Sequence, residues 1–167
     1  LTHHEPSVRR HALRLAERRF GENKTLLRAA MRLVDDKSPI VRLQVALSLG
    51  ESTDAHATTG LARLAMRHSS DEWLNDAILS SLANRTGEML TILLGKPTHA
   101  SRVRDLIGRL CTTIATRRKA KEFSEALVRV AALKDRDLQR LCLSGFRAPF
   151  KSTTTMAMTK PARDALK

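Results

Sequence analysis

The sequence predicts an all-α protein built as an α-solenoid, in which helical hairpins stack into an α-α superhelix. Apolar positions recur with a 33-residue period, which is typical of solenoid repeats. Aromatic residues make up 3% of the chain and Tyr is absent, so the core must be built from Leu, Ala, Val, Ile and Met. Such a core suits helix-on-helix packing, and no credible run of alternating β-branched residues predicts a strand.

The clearest repeat unit lies in residues 35–50. Ser38 predicts an N-cap whose side chain accepts a backbone N–H bond, and Pro39 suits the first helical position. Gly50 predicts a helix end in the left-handed conformation. The apolar stripe between them consists of Val41, Val45, Ala46 and Leu49.

The same pattern occurs again at a fixed 33-residue step. Pro6 and Pro39 keep this step, and so do Arg9 and Arg42. Each unit is expected to stack on its neighbours, because it cannot bury its apolar face alone. Three apolar positions follow the step: Val8, Val41 and Leu74; Ala12, Val45 and Ile78; Ala16, Leu49 and Leu82.

These motifs resemble the second helix of HEAT repeats, in the ARM-like superfamily. The resemblance rests on Pro-x-Val-Arg-x-x-Ala at residues 6–12, and on Pro-x-Val-Arg at residues 39–42 followed by Leu49-Gly50. The third copy departs from the pattern, since Glu72 replaces the proline and Asn75 the arginine. In HEAT repeats the position of Arg9 resembles an arginine that bonds acidic residues in the turns. The resemblance covers residues 6–94 and implies HEAT-like hairpins.

A narrower resemblance follows from the order of three segments, HHEPSVRRHALRLAE, DDKSPIVRLQVALSLGE and DEWLNDAILSSL. This order is similar to the HEAT segment of large bacterial membrane-bound dehydrogenases of the PVC type. Those proteins join a β-propeller, a HEAT stretch and a haem-binding cytochrome c domain. The resemblance implies a periplasmic or cell-envelope location. It brings no redox residue to this chain, because those residues lie in the flanking domains.

The helical pattern predicts alternating inner and outer helices. Inner helices, which carry the motif, are predicted at residues 6–20, 39–49 and 72–83. Outer helices are predicted at residues 24–34, 57–68 and 88–94. After Pro97 the 33-residue step loosens, and longer helices are predicted at residues 101–117, 121–133 and 135–146.

The pattern divides the chain into three predicted parts. Residues 1–95 hold the regular HEAT-like repeats of period 33. Residues 96–150 are predicted to be degenerate helical repeats of the same solenoid. Residues 151–167 are predicted to be a linker and the truncated start of a further helix.

Positive charge is concentrated in the later part of the chain. The net charge is +13, of which residues 96–167 carry +11 and residues 1–95 only +2. This asymmetry is compatible with an acidic partner such as a nucleic acid or anionic lipid, but a solvated helical face is the favoured interpretation. The residues of a possible anion-binding surface are Arg10, Arg14, Arg18, Arg117, Arg118, Lys119 and Lys121.

Other chemistry-bearing residues are predicted to be structural. Cys111 and Cys142 belong to no C-x-x-C motif, so we expect two buried thiols, with a disulfide between them left open. Trp73 could be a ligand platform, but a partly buried packing residue is the favoured interpretation. The histidines at positions 3, 4 and 11 do not form a convincing metal site.

The sequence therefore predicts a non-catalytic scaffold or interaction module, with no cofactor, metal or catalytic residue. It contains no Gly-rich phosphate loop and no nucleophile motif. Its expected partners are other domains of the same polypeptide or other proteins, and the resemblance implies a spacer within a larger dehydrogenase. The alternative is a basic HEAT-like protein that binds nucleic acid, similar to DNA-repair proteins. Few aromatic residues are available for base stacking.

Overall fold

The computed structural model describes residues 1–95 and 100–150, and this part of the chain contains nine α-helices and no β-strand. The predicted all-α fold is thereby confirmed. Two 3-10 turns, Glu17–Arg19 and Leu33–Asp35, follow the first two helices. The helices are α1 (Pro6–Ala16), α2 (Lys24–Arg32), α3 (Pro39–Gly50), α4 (His56–Arg67), α5 (Glu72–Ser81), α6 (Thr86–Leu94), α7 (Arg104–Arg117), α8 (Ala120–Ala131) and α9 (Arg136–Arg147).

The chain divides into two compact units, Leu1–Ala83 and Asn84–Lys167. We call them unit 1, which contains α1 to α5, and unit 2, which contains α6 to α9. The division at residue 95, predicted from the repeat pattern, stays a prediction. The predicted linker and final helix in residues 151–167 lie outside the described residues.

Unit 1 has the layered packing of an α-solenoid. Its helix α3 packs against α1 and α5 in one layer, while α2 and α4 cover α3 in a second layer. Val41, Val45 and Leu49 are fully buried in α3 because this helix has a neighbour on each side. Val8, one repeat earlier, is 44% exposed, since the extensive helix contact of α1 is with α3. The repeat position therefore does not guarantee burial.

Two expectations about the ends of α3 are wrong. Ser38 occupies the N-cap position with extended backbone, but its side chain makes no capping hydrogen bond. The N–H of Val41, which such a cap would use, donates instead to the Ser38 backbone carbonyl at 3.1 Å. The third inner helix is capped as predicted from its preceding polar residues, since Asp71 accepts a hydrogen bond from Leu74 N–H.

Gly50 is helical rather than left-handed, since no glycine in the described residues has positive φ. It is the last residue of α3, where α3 comes very close to α5. A Cβ atom placed on Gly50 would lie 2.7 Å from Ser81 Cβ, well inside the contact distance. The glycine is therefore needed for close helix packing and not for ending the helix.

Unit 2 repeats the two-layer arrangement. Helices α7 and α9 pack closely in one layer, and α6 and α8 pack in the other. Residues that are one repeat apart still meet, since Thr112 Oγ1 donates to Gly145 O at 3.1 Å. A Cβ atom on Gly145 would lie 2.6 Å from Gly108 O, so α7 and α9 also need a glycine where they cross. The 33-residue register thus continues between these helices, although the sequence motif does not.

Both cysteines are buried at this crossing, as predicted, and neither forms a disulfide. Close contact with Cys142, together with burial, raises the pKa of Cys111. Cys111 is therefore held as a neutral, buried thiol.

Candidate interaction surface

Arg9 joins the first two repeats of unit 1. Its Nε donates to Asp36 Oδ2 at 2.7 Å and its Nη2 donates to Asp36 Oδ1 at 2.8 Å, which is a bidentate ion pair. The Nη1 group also donates to the backbone carbonyls of His3 and His4, both at 2.7 Å. The HEAT-like role expected for Arg9, bonding an acidic residue in a turn, is therefore confirmed.

The Asp36 carboxylate is nearly buried in this contact. Burial alone would raise its pKa, but hydrogen bonds from Arg9 and from Ser38 N–H outweigh burial and hold the pKa of Asp36 below its usual value. The side chains of Arg9 and Asp36 are only 13% and 5% exposed. This pair is therefore committed to holding two repeats together and is not offered to a ligand.

On the next two inner helices, α3 and α5, the residue at the repeat position of Arg9 also makes hydrogen bonds to a turn. Arg42 Nη1 donates to the carbonyls of Asp36 at 2.9 Å and Lys37 at 3.1 Å, and Asn75 Nδ2 donates to Ser69 O at 3.0 Å. Each of these side chains satisfies carbonyls that precede its own helix. Polar residues at this position therefore stabilise the turn before every inner helix of unit 1.

Two buried polar atoms of this series, Arg42 Nε and Asn75 Oδ1, make no hydrogen bond within the described residues. Ser69 stands one repeat after Asp36, so no carboxylate occupies the position that Arg42 would reach. Within the described ranges, the buried Nε of Arg42 makes no hydrogen bond. The joint between α1 and α3 is therefore charged, whereas the equivalent joint between α3 and α5 is not.

The inner helices leave one face uncovered, and we call it the open inner face. On each helix it includes two residues that are seven positions apart, and these pairs keep the 33-residue step from one helix to the next. Ile40 is 44% exposed, Leu47 is 42% exposed and Trp73 is 80% exposed. The open inner face consists of Ser7, His11 and Arg14 on α1, Ile40, Gln44 and Leu47 on α3, and Trp73, Asp76 and Ser80 on α5.

Trp73 was expected to be a partly buried packing residue, and this is wrong. The buried residues of α5 include Leu74, which lies one position further along the helix than Trp73. One residue turns a helix by about 100°, so Trp73 lies beside the buried stripe and not in it. The signal that was missed is its repeat position, which Trp73 shares with Ile40 outside the motif stripe.

The predicted anion-binding residues fall into two sets. In unit 1, Arg14 and Arg18 are exposed and Arg10 is half-buried. These three guanidinium groups make no hydrogen bond or ion pair within the part of the chain that the structure describes. Whether they bind an anion stays a prediction.

In unit 2, two of the predicted residues already have partners. Arg117 donates to Thr86 Oγ1 at 2.5 Å, and Lys119 donates to Asn84 Oδ1 at 2.8 Å. Arg118 and Lys121 are exposed, and Arg118 has the positive φ of 52° that ends α7. Lys119 and Lys121 line a groove of about 530 Å³ that also contains the acidic residues Glu88, Glu122 and Glu125. The charge in this groove is therefore mixed.

No group of three or more His, Cys, Asp or Glu residues is placed to hold a metal ion in residues 1–95 and 100–150. Among the same residues, no helix has the length and apolar character needed to span a membrane.

The geometry of unit 1 agrees with the comparison to known families. A family model for HEAT repeats matches residues 1–83. This range coincides with unit 1. The chain shows no significant match to a curated protein or to a solved structure. HEAT repeats are repeat and interaction modules without catalytic chemistry, and unit 1 is similar to them in motif, register and inter-repeat contact.

Proposed function

We propose that this chain is a non-catalytic HEAT-repeat scaffold that holds neighbouring domains or protein partners at a fixed spacing. The observation that carries this proposal is the bidentate Arg9–Asp36 contact between consecutive repeats. It joins α1 to the turn that precedes α3 through side chains that are only 13% and 5% exposed. A scaffold needs such contacts between repeats, because a stack whose repeats open separately cannot hold its partners at a fixed distance.

Native-state hydrogen exchange tests the rigidity of unit 1. Amide protons of α1, α3 and α5 should exchange through one cooperative opening, so that their exchange free energies merge as denaturant is added. Asp36→Asn should separate α1 from this group, while Glu22→Gln, at an exposed residue, should not. If α1 opens independently of α3 in the unmodified chain, the scaffold proposal is wrong.

The parent protein that we propose is a membrane-bound dehydrogenase with propeller and cytochrome c domains, in which this chain is the spacer. The resemblance of the three repeat segments supports this proposal. Covalent haem attachment needs two nearby thiols followed by histidine, whereas Thr112 follows Cys111 and Leu143 follows Cys142. The chain should therefore carry no covalent haem and should not reduce dyes with sugar substrates.

Two measurements test the proposed dehydrogenase parent protein. After expression with the c-type haem maturation machinery, the visible spectrum of the denatured chain should lack a haem band. The coding sequence around this segment should contain a C-x-x-C-H motif downstream. A haem band that survives denaturation would contradict the spacer role, and flanking sequence without a haem motif would remove the dehydrogenase parent but not the scaffold.

A second candidate function is nucleic-acid binding, which the +11 charge of residues 96–167 favours. Acidic residues in the groove of unit 2 and the engaged Arg117 oppose it. Titration of a labelled DNA duplex at low and physiological ionic strength distinguishes the two functions. We expect weak binding that falls steeply with salt, whereas tight and sequence-selective binding at physiological salt would favour the second candidate.

A further inference from the structure

The open inner face of unit 1 combines exposed apolar side chains that a closed helical stack would bury. Ile40 and Leu47 lie seven residues apart on α3, which is about 10 Å along the helix. Trp73 lies at the position equivalent to Ile40 on the neighbouring α5 and is 80% exposed. A single exposed apolar residue is ordinary, but three on adjacent helices form a patch of the kind that marks a binding surface.

One edge of this patch is basic. Arg14 lies one repeat before Leu47, and Arg10 lies one repeat before Leu43, so both are placed on α1 beside the apolar residues of α3. Helices in contact are about 8–10 Å apart, which is within reach of an arginine side chain. Neither guanidinium group is engaged in a contact within residues 1–95 and 100–150. The patch therefore has an apolar centre with unpaired positive charge along its α1 edge.

The opposite edge is acidic and excludes a polyanion. Glu72 and Asp76 are exposed on α5, on either side of Trp73 in the sequence. Ile40 and Leu47 provide apolar contact, whereas the affinity of a nucleic acid comes mainly from Lys and Arg contacts to its phosphates. The charges and the apolar centre together match an amphipathic protein segment.

We propose that the open inner face binds a short amphipathic helix of a protein partner, with apolar side chains facing Ile40, Leu47 and Trp73 and carboxylates facing Arg10 and Arg14. Two apolar side chains of the partner that are seven residues apart match the spacing of Ile40 and Leu47. Trp73 is the main anchor, since Trp is among the residues that most often dominate the energetics of protein interfaces. This inference rests on the proposed scaffold function and names the partner's chemistry.

The single Trp of the chain provides a direct test. A displayed library of random peptides of about 16 residues, which form a helix of about 24 Å, is selected against the full chain. Peptides without Trp or Tyr are then titrated while Trp73 emission is recorded. We expect enriched peptides to carry acidic residues beside apolar residues of helical period, and to shift the emission to shorter wavelength as Trp73 becomes buried.

Matched variants identify the surface. Ile40→Ser and Trp73→Ala should each weaken binding of the enriched peptide by about tenfold or more, measured by calorimetry. Leu15→Ser, which changes an apolar residue of α1 that is 77% exposed but lies outside the open inner face, should leave affinity within about twofold. Arg14→Glu should weaken binding and its salt dependence, whereas Arg28→Glu, at an exposed residue of the outer helix α2, should do neither.

The outcomes separate this inference from the scaffold function. Absence of any peptide that shifts Trp73 emission, enrichment of basic peptides, or equal effects of Ile40→Ser and Leu15→Ser would each overturn the inference. A DNA duplex that competes for the peptide would assign the face to nucleic acid instead. Cooperative hydrogen exchange of α1, α3 and α5 would still support the scaffold if peptide binding failed.

Discussion

Two consecutive joints of unit 1 occupy the same repeat positions but use different chemistry. Between α1 and α3, Arg9 binds Asp36, and Ser48 Oγ donates to Glu17 Oε2 at 2.8 Å. The residues 33 positions after Arg9, Asp36, Ser48 and Glu17 are, in the same order, Arg42, Ser69, Ser81 and Gly50.

At the second joint both charged contacts are replaced. Ser69 offers Arg42 no carboxylate, so the Arg9–Asp36 ion pair has no equivalent here. The Ser48–Glu17 hydrogen bond is replaced by direct packing of Gly50 against Ser81. One register is therefore compatible with a joint made of charge-assisted hydrogen bonds and with a joint made of close packing. The difference shows that the repeat determines which positions meet, while the side chains present determine how they are held.

Truncation of Leu49 should give the largest effect, because α3 belongs to both joints. Leu49 is fully buried, so Leu49→Ala should lower the free energy of unfolding by about 2–5 kcal/mol. Leu15→Ala removes the same atoms from a side chain that is 77% exposed and should change it by no more than about 0.5 kcal/mol. Urea denaturation of both variants provides the measurement, and equal losses would show that the buried face is wrongly assigned.

Gly50→Ala should affect the close-packed joint next most strongly. Its new Cβ would overlap Ser81, which we expect to cost about 1–3 kcal/mol of stability by overpacking, partly offset by the better helix propensity of Ala. Gly21→Ala is the matched control, because a Cβ there meets no atom within 4 Å. Thermal denaturation should therefore show a lower midpoint for Gly50→Ala only. An unchanged midpoint would mean that α3 and α5 separate without cost.

Acid should weaken the charged joint selectively. Because the pKa of Asp36 is lower in the folded chain than the unfolded value of about 3.9, its stabilisation is present above that pH. It is lost as the pH falls from about 4 through the lowered pKa. Asp36→Asn should remove this part of the pH dependence of the urea midpoint, whereas Glu22→Gln should retain it. An unchanged acid dependence in Asp36→Asn would exclude the Arg9–Asp36 pair as its source.

Ser69→Asp should give the smallest effect and should make the second joint resemble the first. A carboxylate at this position would meet the unpaired Arg42 Nε and should raise the free energy of unfolding by up to about 1 kcal/mol. Ser70→Asp places the same charge one residue later at an exposed site and controls for the helix dipole of α5. If both variants stabilise equally in urea, Arg42 is not the partner.

Local patterns were sufficient to predict the helices and their register. Apolar periodicity placed α1 to α6 close to their observed bounds, and Asp71 capped α5, because these signals act within a few residues of the chain. The 33-residue step also placed Arg9 at an acidic turn, through the HEAT resemblance. After residue 95 the motif was lost, and with it the evidence that Thr112 and Gly145 would meet.

The sequence by itself determined the fold class, the repeat length and the positions that face each other, since these follow from helical period and repeat spacing. Only the tertiary structure decided that Gly50 serves close packing, that Ser38 does not cap α3, and that Trp73 is exposed. Each of these depends on which atoms of a neighbouring helix or turn lie next to the residue in the folded chain. That information is absent from the local pattern, because the same residue is buried or exposed according to whether another helix packs against it.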